Sequence, residues 1–183
     1  MLQAVHLSDT YLRRNAIVQP AFVRIIAAIA LEISIKMNEQ MVLSLEDVSA
    51  LFQNKFSVQM LCQLERHILL MNQFRINVAT PLDFLLHFTI PEREFFESHN
   101  MRPEILTNIC LPLLHFAMTQ YNLSRRKYSS IAIAAVCSIM QQNADLSRAA
   151  DVKSCRDQWL SILVTKYDEI DLPEVFEILN EFI

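Results

Sequence analysis

Apolar residues recur at spacings of three and four along almost the whole chain. Between residues 58 and 71, Met60, Leu61, Leu64, Ile68 and Met71 repeat in this way, the pattern of a helix with one buried face. The same period predicts helices over 2–15, 20–38, 44–54, 57–72, 81–98, 103–121, 126–143, 151–170 and 172–182. Ser44 and Ser57 are placed to cap their helices, and Asp47, three residues after Ser44, completes an imperfect capping box. Pro20 and Pro103 stand near helix starts, where a missing N–H costs least. Pro91 marks a break within 81–98. No segment alternates convincingly with the period of a strand. Residues 76–78 are predicted to be extended, because Thr80 precedes Pro81 and a pre-proline residue avoids the helical region.

Two of these helices are apolar on nearly every side. "RIIAAIALEISIKMN" (24–38) and "SSIAIAAVCSIMQQN" (129–143) echo each other, and each precedes an apolar helix containing a cysteine. A helix of this kind is expected to be surrounded by others. The echo implies two helical lobes, 1–79 and 80–183, joined near Thr80-Pro81.

Composition narrows the chemistry. The 183 residues are 52% hydrophobic and carry a net charge of -4. That balance argues against a nucleic-acid binder, which would show a basic excess. The longest apolar run, "IIAAIALEISI" (25–35), is interrupted by Glu32 and is too short to span a membrane. The first ten residues lack the basic and apolar regions of a secretory signal. Cys62, Cys110, Cys137 and Cys155 lie inside apolar helical patterns and read as small core hydrophobes of an intracellular, nuclear or cytoplasmic protein. Glycine is absent altogether. This excludes the P-loop, the dinucleotide fingerprint and the nucleophile elbow, each of which depends on glycine geometry. Helix ends must use other residues, and Asn15, Asn38, Asn72, Asn100, Asn122 and Asn143 are placed to do so in the left-handed conformation.

Catalytic constellations are missing. His6, His67, His87, His99 and His115 fall on different helices and show no zinc spacing. No nucleophile has a base beside it. The expectation is a protein that is not an enzyme, with no cofactor, metal or small-molecule substrate. Two charges in apolar surroundings remain. Lys36 ends one apolar helix, and Glu65 stands inside another with one short helix between them. By themselves they read as a cation favoured at a helix C-terminus and a solvent-facing acid.

"LERHILLMNQFRINVATPLDFL" (64–85), "IAAIALEISIKMNE" (27–39 with its flanking Ile26) and "LSDTYLRR" (7–14) resemble, in order and spacing, segments of the cyclin box. The resemblance implies an all-α, cyclin-like fold of two stacked lobes, the first incomplete at its N-terminus because the first box helix is missing. It implies a regulatory subunit that binds and activates a cyclin-dependent protein kinase in the cell cycle. The alternative is a structural or scaffolding cyclin-like protein within a larger assembly. Lys36 and Glu65 would be the polar anchors for a partner helix, with Ile33, Met37, Leu69, Phe74 and Ile76 as apolar contacts; for each apolar position, an intramolecular core role stays open. An incomplete first lobe would also leave apolar parts of helices 20–37 and 57–73 uncovered. The partners implied are proteins, with no nucleic acid and no membrane.

Overall fold

The computed structural model describes residues 2–15, 18–40, 43–144 and 149–182. Its helices are α1 Leu2–Arg14, α2 Pro20–Asn38, α3 Leu45–Leu51, α4 Val58–Met71, α5 Pro81–Thr89, α6 Arg93–Ser98, α7 Pro103–Thr119, α8 Tyr128–Ala144, α9 Ala149–Lys166 and α10 Leu172–Phe182. A short 3-10 turn, Leu123–Arg125, precedes α8, and there is no strand among the described residues. The fold is all-α. By its internal packing the chain divides into two compact units, Met1–Val78 and Ala79–Ile183.

In the first unit α2 packs against α1, α3 and α4. Leu7, Tyr11, Ile25, Ile29, Ile33, Val48, Leu61 and Ile68 form its core. The apolar period alone predicts that α2 is surrounded, and it is not: Phe22, Val23 and Leu31 are exposed on it, as are Met60 and Leu70 on α4, the uncovered apolar surface on helices 20–37 and 57–73 that the resemblance implies. In the second unit α8 is enclosed by α5, α7, α9 and α10, and every residue from Ser130 to Met140 is buried. Its apolar, Ala-rich sequence is therefore satisfied on all sides. Cys110, Cys137 and Cys155 are buried as expected, and burial pushes the thiols of Cys110 and Cys137 up to about 12. Cys62 departs from its expectation, being exposed on α4.

Helix ends show how the chain manages without glycine. After α3, α4 and α6 the backbone closes in the same way. The residue after the cap bonds back three positions, and the next one bonds back five. After α4, Gln73 N–H donates to Leu70 O at 2.9 Å and Phe74 N–H to Leu69 O at 2.8 Å. After α3 the donors are Gln53 and Asn54, and after α6 they are Asn100 and Met101. This is the Schellman motif. The left-handed residues are Gln53, Asn54, Gln73, Phe74 and Asn100, so of the six asparagines expected there only Asn100 takes that conformation. Asn72 shows the reason. It sits one position too early, at the cap itself, and spends its side chain on Ile68 O at 2.9 Å.

The Ser44–Asp47 capping box forms in full, each partner bonding the other's backbone at 3.1 Å. Thr80 and Asp83 build a second one at the start of α5. Pro91 ends up between α5 and α6. Residues 76–78 are not fully extended: Val78 N–H folds back onto Ile76 O at 3.2 Å, a γ-type turn. The pre-proline restriction acts on Thr80 alone, whose ψ is 166°.

Candidate protein-binding site

The first unit brings Lys36 and Glu65 together. Lys36 lies in the last turn of α2 and Glu65 midway along α4. Lys36 Nζ donates to Glu65 Oε1 at 2.8 Å and also meets Oε1 of Glu32, one turn earlier on α2. Lys36 keeps 35% of its side-chain exposure and Glu65 18%, while Glu32 keeps none. One ammonium thus bridges a sealed carboxylate and a partly open one. Glu32 Oε2 has no hydrogen-bond partner among the described residues.

The electrostatics follow from this placement. Burial raises the pKa of Glu32. The hydrogen bond from Lys36 works against that rise, and the charge of Glu65 adds to it. For Lys36 burial acts downward, but the bonds to Glu32 and Glu65 outweigh it and the pKa is raised. The ammonium is therefore held in its charged form.

Polar contacts fix the surrounding elements. Buried Gln3 accepts from the side chains of Asn38 and Ser34 and donates to Ile76 O, tying α1 to the end of α2 and to the segment after α4. Tyr11 Oη and His67 Nδ1 lie 2.8 Å apart between α1 and α4. Arg14 reaches Met71 O at the C-terminal end of α4.

The apolar expectations separate. Met37 is 51% exposed beside Lys36, and Phe74 is 61% exposed. Leu69 and Ile76 are partly buried against the first core. The Schellman motif puts Leu69 and Phe74 at the two positions it customarily brings together. Phe74 has φ 56°, a strained setting for a bulky side chain and one that recurs at functional surfaces. Ile33 is corrected. It is 3% exposed, because it shares the inner face of α2 with Ile26 and Ile29, and it has almost no surface to offer a partner.

Glu32 is the residue that sequence reasoning missed, having been taken only as an interruption of an apolar run. Its signal was the spacing to Lys36, four residues with the acid first, the favoured order on a helix.

Residues 1–77 match the family model for the cyclin N-terminal domain. These residues belong to the cyclin family. The match covers the first unit almost completely, including the whole Lys36–Glu65 edge of the cyclin domain. No curated protein matches the chain closely enough to count as a relative. Among the described residues no group of three His, Cys, Asp or Glu side chains could hold a metal ion, and no helix is long and apolar enough to cross a membrane.

Proposed function

We propose that the chain is a cyclin-like regulatory subunit, without catalysis of its own, that binds and activates a cyclin-dependent protein kinase. The observation that carries this is the pairing of Lys36 with Glu65 at 2.8 Å on the edge of the cyclin domain, with Met37 and Phe74 exposed. Charged groups supply directional bonds to a partner helix, and the apolar side chains supply area. Leu69 and Ile76 complete the surface. Cyclins act on kinases by moving an inactive helix and loop into place. We also infer that residues 80–183 form a second cyclin-like lobe, supported by the enclosure of α8 by four helices.

A scaffolding role without activation is the second reading. It is favoured by the double engagement of Lys36, which makes this side chain part of the domain's own structure.

The experiment is co-purification with a panel of cyclin-dependent kinases, followed by affinity and phosphorylation assays. Removing one member of a desolvated charge contact costs about 2–5 kcal/mol of binding. Glu65→Ala is therefore expected to weaken kinase binding more than about tenfold, and Phe74→Ala to weaken it as well. Capture of a kinase without stimulation would favour the scaffold. Wild-type affinity in both variants would refute this edge as the interface.

A further inference from the structure

From Ile25 to Ile35, Glu32 is the one charged residue of α2. Its side chain is sealed from water, and Oε2 has no hydrogen-bond partner among the described residues. Ile25 and Ile29, one and two turns earlier on the same face, belong to the first core. An apolar side chain at position 32 would continue that core. A buried carboxylate that is only partly satisfied is a poor source of stability, because an apolar group of similar volume usually serves as well or better. Folding therefore gives no reason for an acid here, and the reason is sought in what the acid holds, the ammonium of Lys36.

We propose that Glu32 is a positioning residue for the docking edge, pinning the Lys36 ammonium against Glu65 before a partner arrives. The inference rests on the reading of that edge as the interface. Lysine carries its charge on a flexible four-carbon stem. The pair with Glu65 alone would hold it loosely, since both side chains keep some exposure, and an open ion pair is screened by water and opposed by side-chain entropy. Glu32 differs in two respects. It lies one turn before Lys36 on the same helix, acid first, the favoured order, so their separation is set by α2 itself and not by how α2 meets α4. It is also out of water, where a charge-assisted bond is less screened. An ammonium held by two carboxylates on two helices has little freedom left. The raised pKa of Lys36, driven by its bonds to Glu32 and Glu65 against the effect of burial, agrees with that arrangement.

The gain appears on docking. Ordering a long side chain costs affinity when it happens during association, and a side chain already ordered avoids that cost. Glu32 never touches the partner, being sealed, and acts only through Lys36. Its replacement should then move folding and binding in opposite directions, the trade-off expected of a residue kept for function at the expense of stability. A residue that merely supports the fold would move both together.

Two measurements on the full chain test it. The first needs no partner: acetic anhydride labels lysines, and mass spectrometry reads the rate at each one. Lys36 should label several-fold more slowly than the exposed Lys55. Glu32→Leu should bring Lys36 close to the rate of Lys55, and Glu32→Gln, which keeps an acceptor for the ammonium, should lie between. The second is affinity for a kinase captured from the panel. Glu32→Leu should bind about two- to tenfold more weakly, with a melting temperature at or above that of the wild type, and Glu32→Gln should recover part of the loss. Unchanged Lys36 labelling in Glu32→Leu overturns the proposal, as does wild-type affinity in that variant. A joint fall in melting temperature and affinity also overturns it, since Glu32 would then serve the fold. A wild-type chain that captures no kinase, with Lys36 labelling still raised in Glu32→Leu, supports the pinning and refutes the kinase reading, so the two failures are distinct.

Discussion

Glu32 allows a prediction that runs against the usual treatment of an ion pair. Glu32→Leu roughly conserves side-chain volume and removes a sealed charge whose Oε2 is unpartnered. Replacing a buried ionic group with an apolar one of similar volume is often neutral or stabilising by about 1–4 kcal/mol. Lys36 is 35% exposed, so water already screens the pair, and a gain of about 1–2 kcal/mol is expected. For a unit of this size each kcal/mol raises the melting temperature by about 4–8 °C. Lys36→Ala should do the reverse. It strands the Glu32 carboxylate, and the roughly 3–5 kcal/mol seen for fully buried pairs, discounted for exposure, leaves a loss of about 1–3 kcal/mol. The double variant should recover most of that loss, because the two sites are coupled. The pH dependence has a definite sign. The folded pKa of Glu32 lies above its ordinary 4.5, so the folded state holds that proton longer. Stability is then lost as pH rises from about 4.5 through the folded value. Burial lowers the pKa of His6 below 6.5, and this acts oppositely, costing stability as pH falls. The difference between Glu32→Gln and wild type cancels the His6 effect. That difference should be smallest below about pH 4.5, grow as pH rises, and level off once the folded carboxylate has ionised. Thermal unfolding by circular dichroism at several pH values reads it directly. A Glu32→Leu variant less stable than wild type at pH 7, or a pH-independent Gln difference, would refute the reasoning.

Two further outcomes are expected. Gln73→Gly relieves a left-handed φ of 54°, and since such a conformation costs a non-glycine residue roughly 1–2 kcal/mol, the variant should melt higher. A lower melting temperature would show that the Gln73 side chain has a role of its own. Thr80→Ala removes the hydroxyl of the α5 capping box and should cost about 0.5–2 kcal/mol in urea unfolding of the second unit.

The helical period was enough to place nearly every element, because a chain in which most helices bury one stripe writes that stripe into its sequence. What it could not fix was completeness of cover. α2 and α8 read alike, yet α8 is enclosed and α2 keeps Phe22, Val23 and Leu31 exposed; periodicity records what a helix can bury, and its neighbours decide what it does bury. Left-handed residues were placed on asparagine by propensity. The Schellman geometry instead selects a position, one past the cap, and Gln53 and Gln73 occupy it in the absence of glycine. At the site, the resemblance carried Lys36 and Glu65 correctly to one another. Ile33 could not be separated from Met37 by sequence, since residues four apart share one helix face, and only the fold shows that cover reaches Ile33 but not Met37 in the last turn. Glu32 was hidden for a similar reason, because an acid in an apolar run looks like an interruption until the fold closes over it.

The double engagement of Lys36 changes how a clamp built from it can work. A lysine ammonium has three donors and no acceptor. Glu32 and Glu65 each take one, which leaves one for a partner, so docking need not break either internal pair. Because Glu32 is sealed and Glu65 is partly open, a partner can reach Glu65 and the remaining Lys36 donor but not Glu32. Binding and folding are then separable at Glu65 and at Phe74, and inseparable at Lys36. A loss of binding in Lys36→Ala alone would consequently say little about contact. The informative comparison is Lys36→Ala made in the Glu32→Leu background, where the sealed carboxylate is gone and only the partly open Glu65 loses its partner. If binding falls there while the melting temperature holds, Lys36 touches the partner. If both return to the values of Glu32→Leu, its role lies wholly inside the domain, and Glu65 must carry the polar contact.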